Sequence, residues 1–459
     1  MTIISLLSDD EEAPPATPPT QQWPRGPIND LHHAAYDGSV ERTLALLSQR
    51  SINIDEGDPN GFTPLMFAAQ DGYSPVARIL LSNGADVSIA ADGGVTALHM
   101  SAQDGHLAAT VDLIKAGADL DAWGVEGARP LHLASQYGHL EVVAKLVEAG
   151  ANVDSRARDG RTPLYMAALD GHLDVVEVLL RANANPLLTA TTRRGMVRAP
   201  VDVAAANGHS KVVYELIRKV GIGGFDYAEG GVEILAMAAA QGHVDTMAML
   251  ADAGVVDTGD ALCNAAGCGK QGAVQFLLQQ RQLEGSTGLF RYQYVNFRDC
   301  VGCTPLFRAI ECYADNDGAP PSISPMLVRM LVDAGANTSM KVRFKNTSGW
   351  VLFNDTPLAF ADDCLRRKKV GGIRDADEEQ INRLKAVRRL LLRVDAVHAV
   401  SWRWVREPHL VGGAAEVSTG TTARSTATSG TQLTMMLPIL RRRRRGLHVA
   451  TLFRYANYP

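Results

Sequence analysis

The chain has 459 residues, about three times a typical domain length, so several domains or a repeat array are expected and not one globular core. Apolar residues make up 46% and charged residues 21%, and the six cysteines are irregularly spaced, which excludes a disulfide framework and favours a reducing compartment. From Ser401 onward nine arginines stand against two glutamates, a balance of +7; with −5 overall the first 400 residues carry −12, which argues against a nucleic-acid groove along the body.

Met1 to Ser8 has no basic start and runs directly into Asp9, Asp10, Glu11 and Glu12, so no secretory signal is expected. Residues 1–27 read as a disordered, acidic and Pro-rich segment. No stretch reaches about 18 uninterrupted apolar residues, so no membrane span is expected, and the protein is read as intracellular, cytoplasmic and soluble.

Residues 28–260 read as regular repeats. An irregular first unit, Leu31-His32-His33-Ala34-Ala35 with Leu44, Leu46 and Leu47, is expected to cap the N-terminal end. Thr63-Pro64-Leu65, Thr96-Ala97-Leu98, Arg129-Pro130-Leu131 and Thr162-Pro163-Leu164 then step by 33 residues. Eight residues after each Leu comes an aromatic residue or His behind Gly: Gly72-Tyr73, Gly105-His106, Gly138-His139 and Gly171-His172. The same offset recurs from Val201 to Gly208-His209 and from Leu235 to Gly242-His243.

Each unit has a physical reading. Thr is a helix N-cap, since its hydroxyl accepts from an orphan amide of the first turn, and Pro in the next position has no amide to lose. The short first helix carries Ala-Ala, as at Ala167-Ala168, so a neighbour approaches closely. Gly171 ends that helix, and Val175, Val176, Val178, Leu179 and Leu180 mark the buried stripe of a second one. Gly84, Gly117, Gly150, Gly254 and Gly335 close second helices, with Asn183 as the substitute in one repeat. The links, such as Asp154 to Gly160, read as turns or fingers.

Residues 261–400 read as degenerate repeats with insertions. The marker steps 37 residues from Leu164 to Val201, 34 to Leu235 and 27 to Leu262, and the pattern restarts at Thr304-Pro305-Leu306 and Thr356-Pro357-Leu358. Insertions at Ala314 to Ser324 and Arg366 to Asp377 are expected to separate first helices from second helices at Met326 to Val332 and Ile381 to Leu392. Residues 401–459 read as a disordered basic tail holding the run Arg441, Arg442, Arg443, Arg444 and Arg445, either a nuclear import or anionic contact site or an ordinary solvated segment.

These residues resemble the ankyrin repeat family. Asp58-Pro59-Asn60-Gly61-Phe62-Thr63-Pro64-Leu65 matches the opening of its pattern, and Arg129-Pro130-Leu131-His132-Leu133-Ala134-Ser135-Gln136-Tyr137-Gly138-His139 matches the middle. The resemblance is strongest over residues 58–190. It implies an all-α repeat fold, an ankyrin solenoid of about ten helix-turn-helix units with β-hairpin fingers.

Catalytic and metal readings weigh less. His106, His139 and His172 lie one repeat apart; packed helices stand about 8–10 Å apart, too far to share a zinc whose ligand nitrogens lie about 2.0–2.1 Å away. The resemblance implies that such histidines bond the turn backbone. Cys300-Val301-Gly302-Cys303 falls in finger register with no second ligand pair, and Gly267 to Gly272 fits G-x-G-x-x-G without the strand that dinucleotide binding requires. No cofactor, metal or catalytic residue is assigned.

The resemblance also implies where partners bind: finger residues and the two positions before the inter-helix Gly. On this chain the pairs are Gln70 and Asp71, Gln103 and Asp104, Gln136 and Tyr137, Leu169 and Asp170, and Ala206 with Asn207. Finger candidates are Phe62, Trp123, Glu126, Arg158, Arg161, Arg193 and Arg194. The leading expectation is a monomeric, non-enzymatic scaffold or adaptor that binds a protein with both charges, its basic part against Asp71, Asp104 and Asp170. Alternatives are a nuclear regulator that uses the basic tail, and an enzyme hidden in the degenerate repeats.

Overall fold

The structure, a computed structural model, describes residues 30–49, 52–191, 195–221, 232–283, 288–299, 302–311, 324–345, 351–370 and 381–395. All lie within one unit, Met1–Trp402. Helices come in pairs: α1 Asp30–Tyr36 with α2 Val40–Leu47, α3 Pro64–Gln70 with α4 Ser74–Ser82, α5 Ala97–Gln103 with α6 Leu107–Lys115, and α7 Pro130–Gln136 with α8 Leu140–Ala149. The series continues with α9 Pro163–Asp170 and α10 Leu173–Arg181, α11 Pro200–Ala206 and α12 Ser210–Val220, and α13 Val232–Gln241 and α14 Val244–Asp252. Next come α15 Asp260–Gly267 with α16 Gln271–Leu283, a single helix α17 Gly288–Val295, α18 Pro305–Glu311 with α19 Pro325–Asp333, and α20 Pro357–Val370 with a last helix α21 over residues 381–395.

The punctuation in the sequence sets these limits. Thr63, Thr96 and Thr162 hold extended backbone as N-caps of α3, α5 and α9. Only Thr162 among the three caps as expected, accepting from the Tyr165 amide at 3.2 Å. The Thr96 hydroxyl turns instead to His99 Nδ1, 2.9 Å away. Asn183 holds φ at 62°, the left-handed stop that closes α10 where other repeats use Gly.

Each first helix packs on its own second helix and on the first helix of the next pair, and second helices pack on second helices. A short helix with one apolar stripe cannot bury that stripe alone, so stacking supplies the cover. The result is one continuous core in which Leu65, Leu98, Leu131, Leu164, Val201, Leu235, Leu262 and Leu306 sit at the same depth, each essentially without solvent contact.

Between pairs the chain makes finger turns. Each closes with an amide donating to the carbonyl four residues on: Asp58 to Phe62, Ala91 to Val95, Gly124 to Ala128 and Ala157 to Arg161. Neighbouring fingers are joined by Asp92 N–H to Asn60 O, Arg158 N–H to Glu126 O and Thr191 N–H to Asp159 O, at 2.8–2.9 Å. At their bases Asp55, Asp121 and Asp154 each accept the amide of Asp86, Asn152 and Asn185 in the following repeat.

The structure departs from expectation in four places, three of them in the degenerate region. Helix α20 runs through Arg366 to Val370, so the second insertion begins later than its composition indicates. Helix α17 and two antiparallel hairpins, β1 Ala190–Thr191 with β2 Val197–Arg198 and β3 Val342–Lys345 with β4 Val351–Asp355, were not located by the sequence reading. They fill long links, where repeat spacing carries no information. The segments 1–27 and 401–459, with Arg441 to Arg445, and residues 312–323 lie outside the described residues. Among the described residues no helix is long and apolar enough to cross a membrane.

Candidate functional site

The positions before each inter-helix Gly are held by the repeat that follows. The imidazole of His139 donates from Nε2 to the carbonyl of Gln103 at 2.7 Å, and His172 reaches Gln136 O at 2.8 Å. His209 and His243 do the same to Leu169 O and Ala206 O at 3.0 and 2.8 Å. The acceptor in every case is the first member of a pre-Gly pair, one repeat upstream. These histidines thus set the pairs in one row along the ends of the first helices.

Within that row the second members carry the chemistry. Burial pushes the Asp104 carboxyl above its ordinary range, and the imidazoles of His106 and His139 offset part of that. Asp170 is raised by burial too, against His172 and Arg161. Burial likewise raises the Tyr137 phenol, and the charges of Asp104 and Asp170 raise it further. Tyr137 takes the second position of its pair, as Asp104 and Asp170 do in the repeats before and after it, and its ring centroid lies 6.3 Å from that of His139. Asp71, Gln70, Gln103, Gln136 and Leu169 are all half-buried in the same row, and Asn207 is exposed.

The fingers supply the opposite sign. Arg161 pairs with Asp159 at 2.8 Å and is close enough to Asp170 to act on its titration. Arg158 is exposed, with no acidic partner among the described residues. Trp123 is 61% exposed, and the Arg129 guanidinium lies 5.3 Å from its ring centroid while donating from Nε to Asp121 O. That cation fixes the inner face of the indole and leaves the rest to solvent. Glu126 is exposed with φ at 54°, strained for a residue with a side chain.

One expectation is corrected. Phe62 is 3% exposed and is no finger contact. Asp58 Oδ1 accepts the Asn60 and Phe62 amides, which turns the ring inward onto Phe67, at 6.3 Å between centroids. The Phe62 carbonyl accepts from His32 Nε2 at 2.9 Å. At the same position before the next N-cap Val95 is also buried, whereas the long polar side chain of Arg161 reaches the surface. Arg193 and Arg194 lie outside the described residues.

Sequence reasoning missed Val125, exposed two residues after Trp123 on the same finger, and Val197 on the β1–β2 hairpin. The alternation Trp123-Gly124-Val125 is the signal that points to the first of them. It also missed the second set of histidines. His99 and His132 accept the amides of Thr96 and Arg129 at Nδ1 and donate from Nε2 to Ala128 O and Arg161 O, tying each first helix to the next finger.

Cys303 is buried in a finger turn, where its amide donates to Asp299 Oδ1 at 2.8 Å; Cys300 lies outside the described residues. Gly267 ends helix α15 and Gly269 lies in the inter-helix turn, so no strand precedes the Gly-rich stretch. Among the described residues no group of three or more His, Cys, Asp or Glu side chains is placed to hold a metal ion.

Residues 27–91 and 98–190 match the family model described as ankyrin repeats, in three copies. The mouse protein phosphatase 1 regulatory subunit 27 is 42% identical over 62 residues, 14% of this chain and 40% of that protein. The human ankyrin repeat and KH domain-containing protein 1 is 44% identical over 55 residues, 12% of this chain and 2% of that protein. The human NAD-capped RNA hydrolase NUDT12 is 32% identical over 62 residues, 14% of this chain and 13% of that protein. The chain thus spans less than half the length of each of these relatives.

Proposed function

Because this chain is an ankyrin-repeat protein, we propose that it is a non-catalytic adaptor that grips a partner polypeptide along the pre-Gly row and the adjoining fingers. The observation that carries this reading is Tyr137 set between Asp104 and Asp170, with Arg161 acting on the same carboxylate. An aromatic with acidic flanks on one side and arginines on the other suits a segment with both charges, its basic part on the acidic row. Aromatic and Arg anchors dominate the energy of such interfaces. A standard interface of about 1,600 Å² needs only a few repeats, so the length of the stack leaves room for a second partner.

The similarity to a phosphatase regulatory subunit is consistent with a role exerted through binding. The test compares capture by the full chain with capture by the triple variant Trp123→Ala, Tyr137→Ala, Arg161→Ala. All three side chains are at least partly exposed, so the variant is expected to keep its melting temperature and lose the partner. Capture that survives the triple substitution removes the reading.

A further inference from the structure

The last described helix, α21, differs on its outer face from the second helices before it. Ile381, Leu384, Val387 and Leu391 are buried against the stack. At 3.6 residues per turn this leaves Asn382, Lys385, Arg389 and Arg393 at the centre of the opposite face, and all four are exposed. The three cations follow one another at i, i+4 and i+8, a straight row with steps of about 6 Å.

Like charges at that spacing destabilise a helix. Earlier second helices avoid it: Lys145 pairs with Glu148, Glu177 with Arg181, Glu215 with Arg218 and Arg329 with Asp333. Lys385, Arg389 and Arg393 have no acidic partner among the described residues. Among the described residues, the nearby carboxylates are engaged elsewhere, Asp362 by Arg388 and Asp395 by the Thr338 hydroxyl. Residues 381–395 hold five basic side chains and one acidic one. Leu392, 40% exposed, adds an apolar contact beside the row.

We propose that this row is a second docking surface, and that its occupant is an acidic segment of a partner protein bound in extended form. Alternate residues of an extended chain point the same way about 6.4–6.8 Å apart, so carboxylates at every second position meet the cations in register. Guanidinium groups match carboxylates two hydrogen bonds at a time. The exposed Leu392 suits a side chain of a peptide, where a phosphodiester backbone has nothing apolar to offer. A long polyanion would also meet the −12 charge of the first 400 residues, while a short segment needs only the row.

The full chain is titrated against a fluorescent peptide alternating Glu and Leu, read by anisotropy. Arg389→Glu sets a carboxylate between Lys385 and Arg393, opposite charges at helix-supporting spacing, so the melting temperature is expected not to fall while peptide affinity drops roughly tenfold or more. The pair Lys385→Gln and Arg393→Gln is expected to weaken binding too. Substituting Trp123, Tyr137 and Arg161 is expected to leave peptide binding unchanged, which separates this surface from the first. Unaltered peptide affinity in either row variant overturns the proposal. So does a wild-type preference for a labelled single-stranded oligonucleotide or for phosphatidylserine vesicles at the same salt.

Discussion

Gly138 is covered by the imidazole of His172 from the next repeat: a Cβ on that glycine would stand 2.6 Å from Nδ1. The same ring bonds the carbonyl of Gln136 two residues earlier, so one side chain both clamps the turn and orients the candidate binding row. Gly138 is also in left-handed backbone, with φ at 75°. Gly150 shares that backbone, with φ at 99°, but a methyl group there would meet nothing within 4 Å. Gly150→Ala is therefore expected to lose about 1 kcal/mol from backbone strain alone. Gly138→Ala should lose about 2–3 kcal/mol, strain plus the displaced imidazole. Urea titrations of both variants read the difference, and equal losses would show that the ring gives way freely.

Acid sensitivity should come from the inter-repeat histidines. Burial holds His99 and His132 at about 4, below the ordinary 6.5, with bonds to Ala128 O and Arg161 O only partly opposing it. Both rings are folded in neutral form, and the unfolded chain takes up protons first. Their contribution is complete above pH 6.5 and is lost as pH falls from 6.5 toward 4, roughly 3 kcal/mol for each ring by the end of that window. The urea midpoint followed across that range is expected to fall steeply, and less steeply in His99→Gln and His132→Gln.

Phe62 and Trp123 should respond oppositely to truncation. Phe62→Ala empties a core site and is expected to destabilise by about 3–5 kcal/mol. Trp123→Ala removes a mostly exposed ring and is expected to shift stability by under about 0.5–1 kcal/mol, the scale of an exposed cation–π contact. Partner capture should be lost in the Trp123 variant at a temperature where it remains folded. Thermal melts with capture assays on both proteins give the comparison.

The finger before α18 holds a buried ion pair, Asp299 with Arg308, at 2.6 Å and with the side chains only 9% and 5% exposed. Asp299 Oδ1 also takes the Cys303 amide. Asp299→Ala strands the guanidinium in the stack and is expected to lower stability by about 3–5 kcal/mol. Limited proteolysis should then cut first within the pairs near Arg308. Replacing both residues together with apolar side chains should recover much of the loss, since no lone charge remains.

Helix starts, stops and their succession were legible in the sequence because each rests on a local signal: Thr162 before Pro163, Gly171 and Asn183 in left-handed backbone, Leu at a constant step. The pre-Gly row followed from the same spacing. The second hairpin and α17 did not, since links of variable length have no register to read. Tertiary packing alone decided that Phe62 faces inward while Trp123 stays in solvent, and that Asp104, Tyr137 and Asp170 share one electrostatic neighbourhood. Those outcomes depend on which surface the adjacent repeat covers. A repeat's own residues specify its two helices, but burial and charge coupling arise between copies, across about 33–40 residues of chain that only stacking brings into contact.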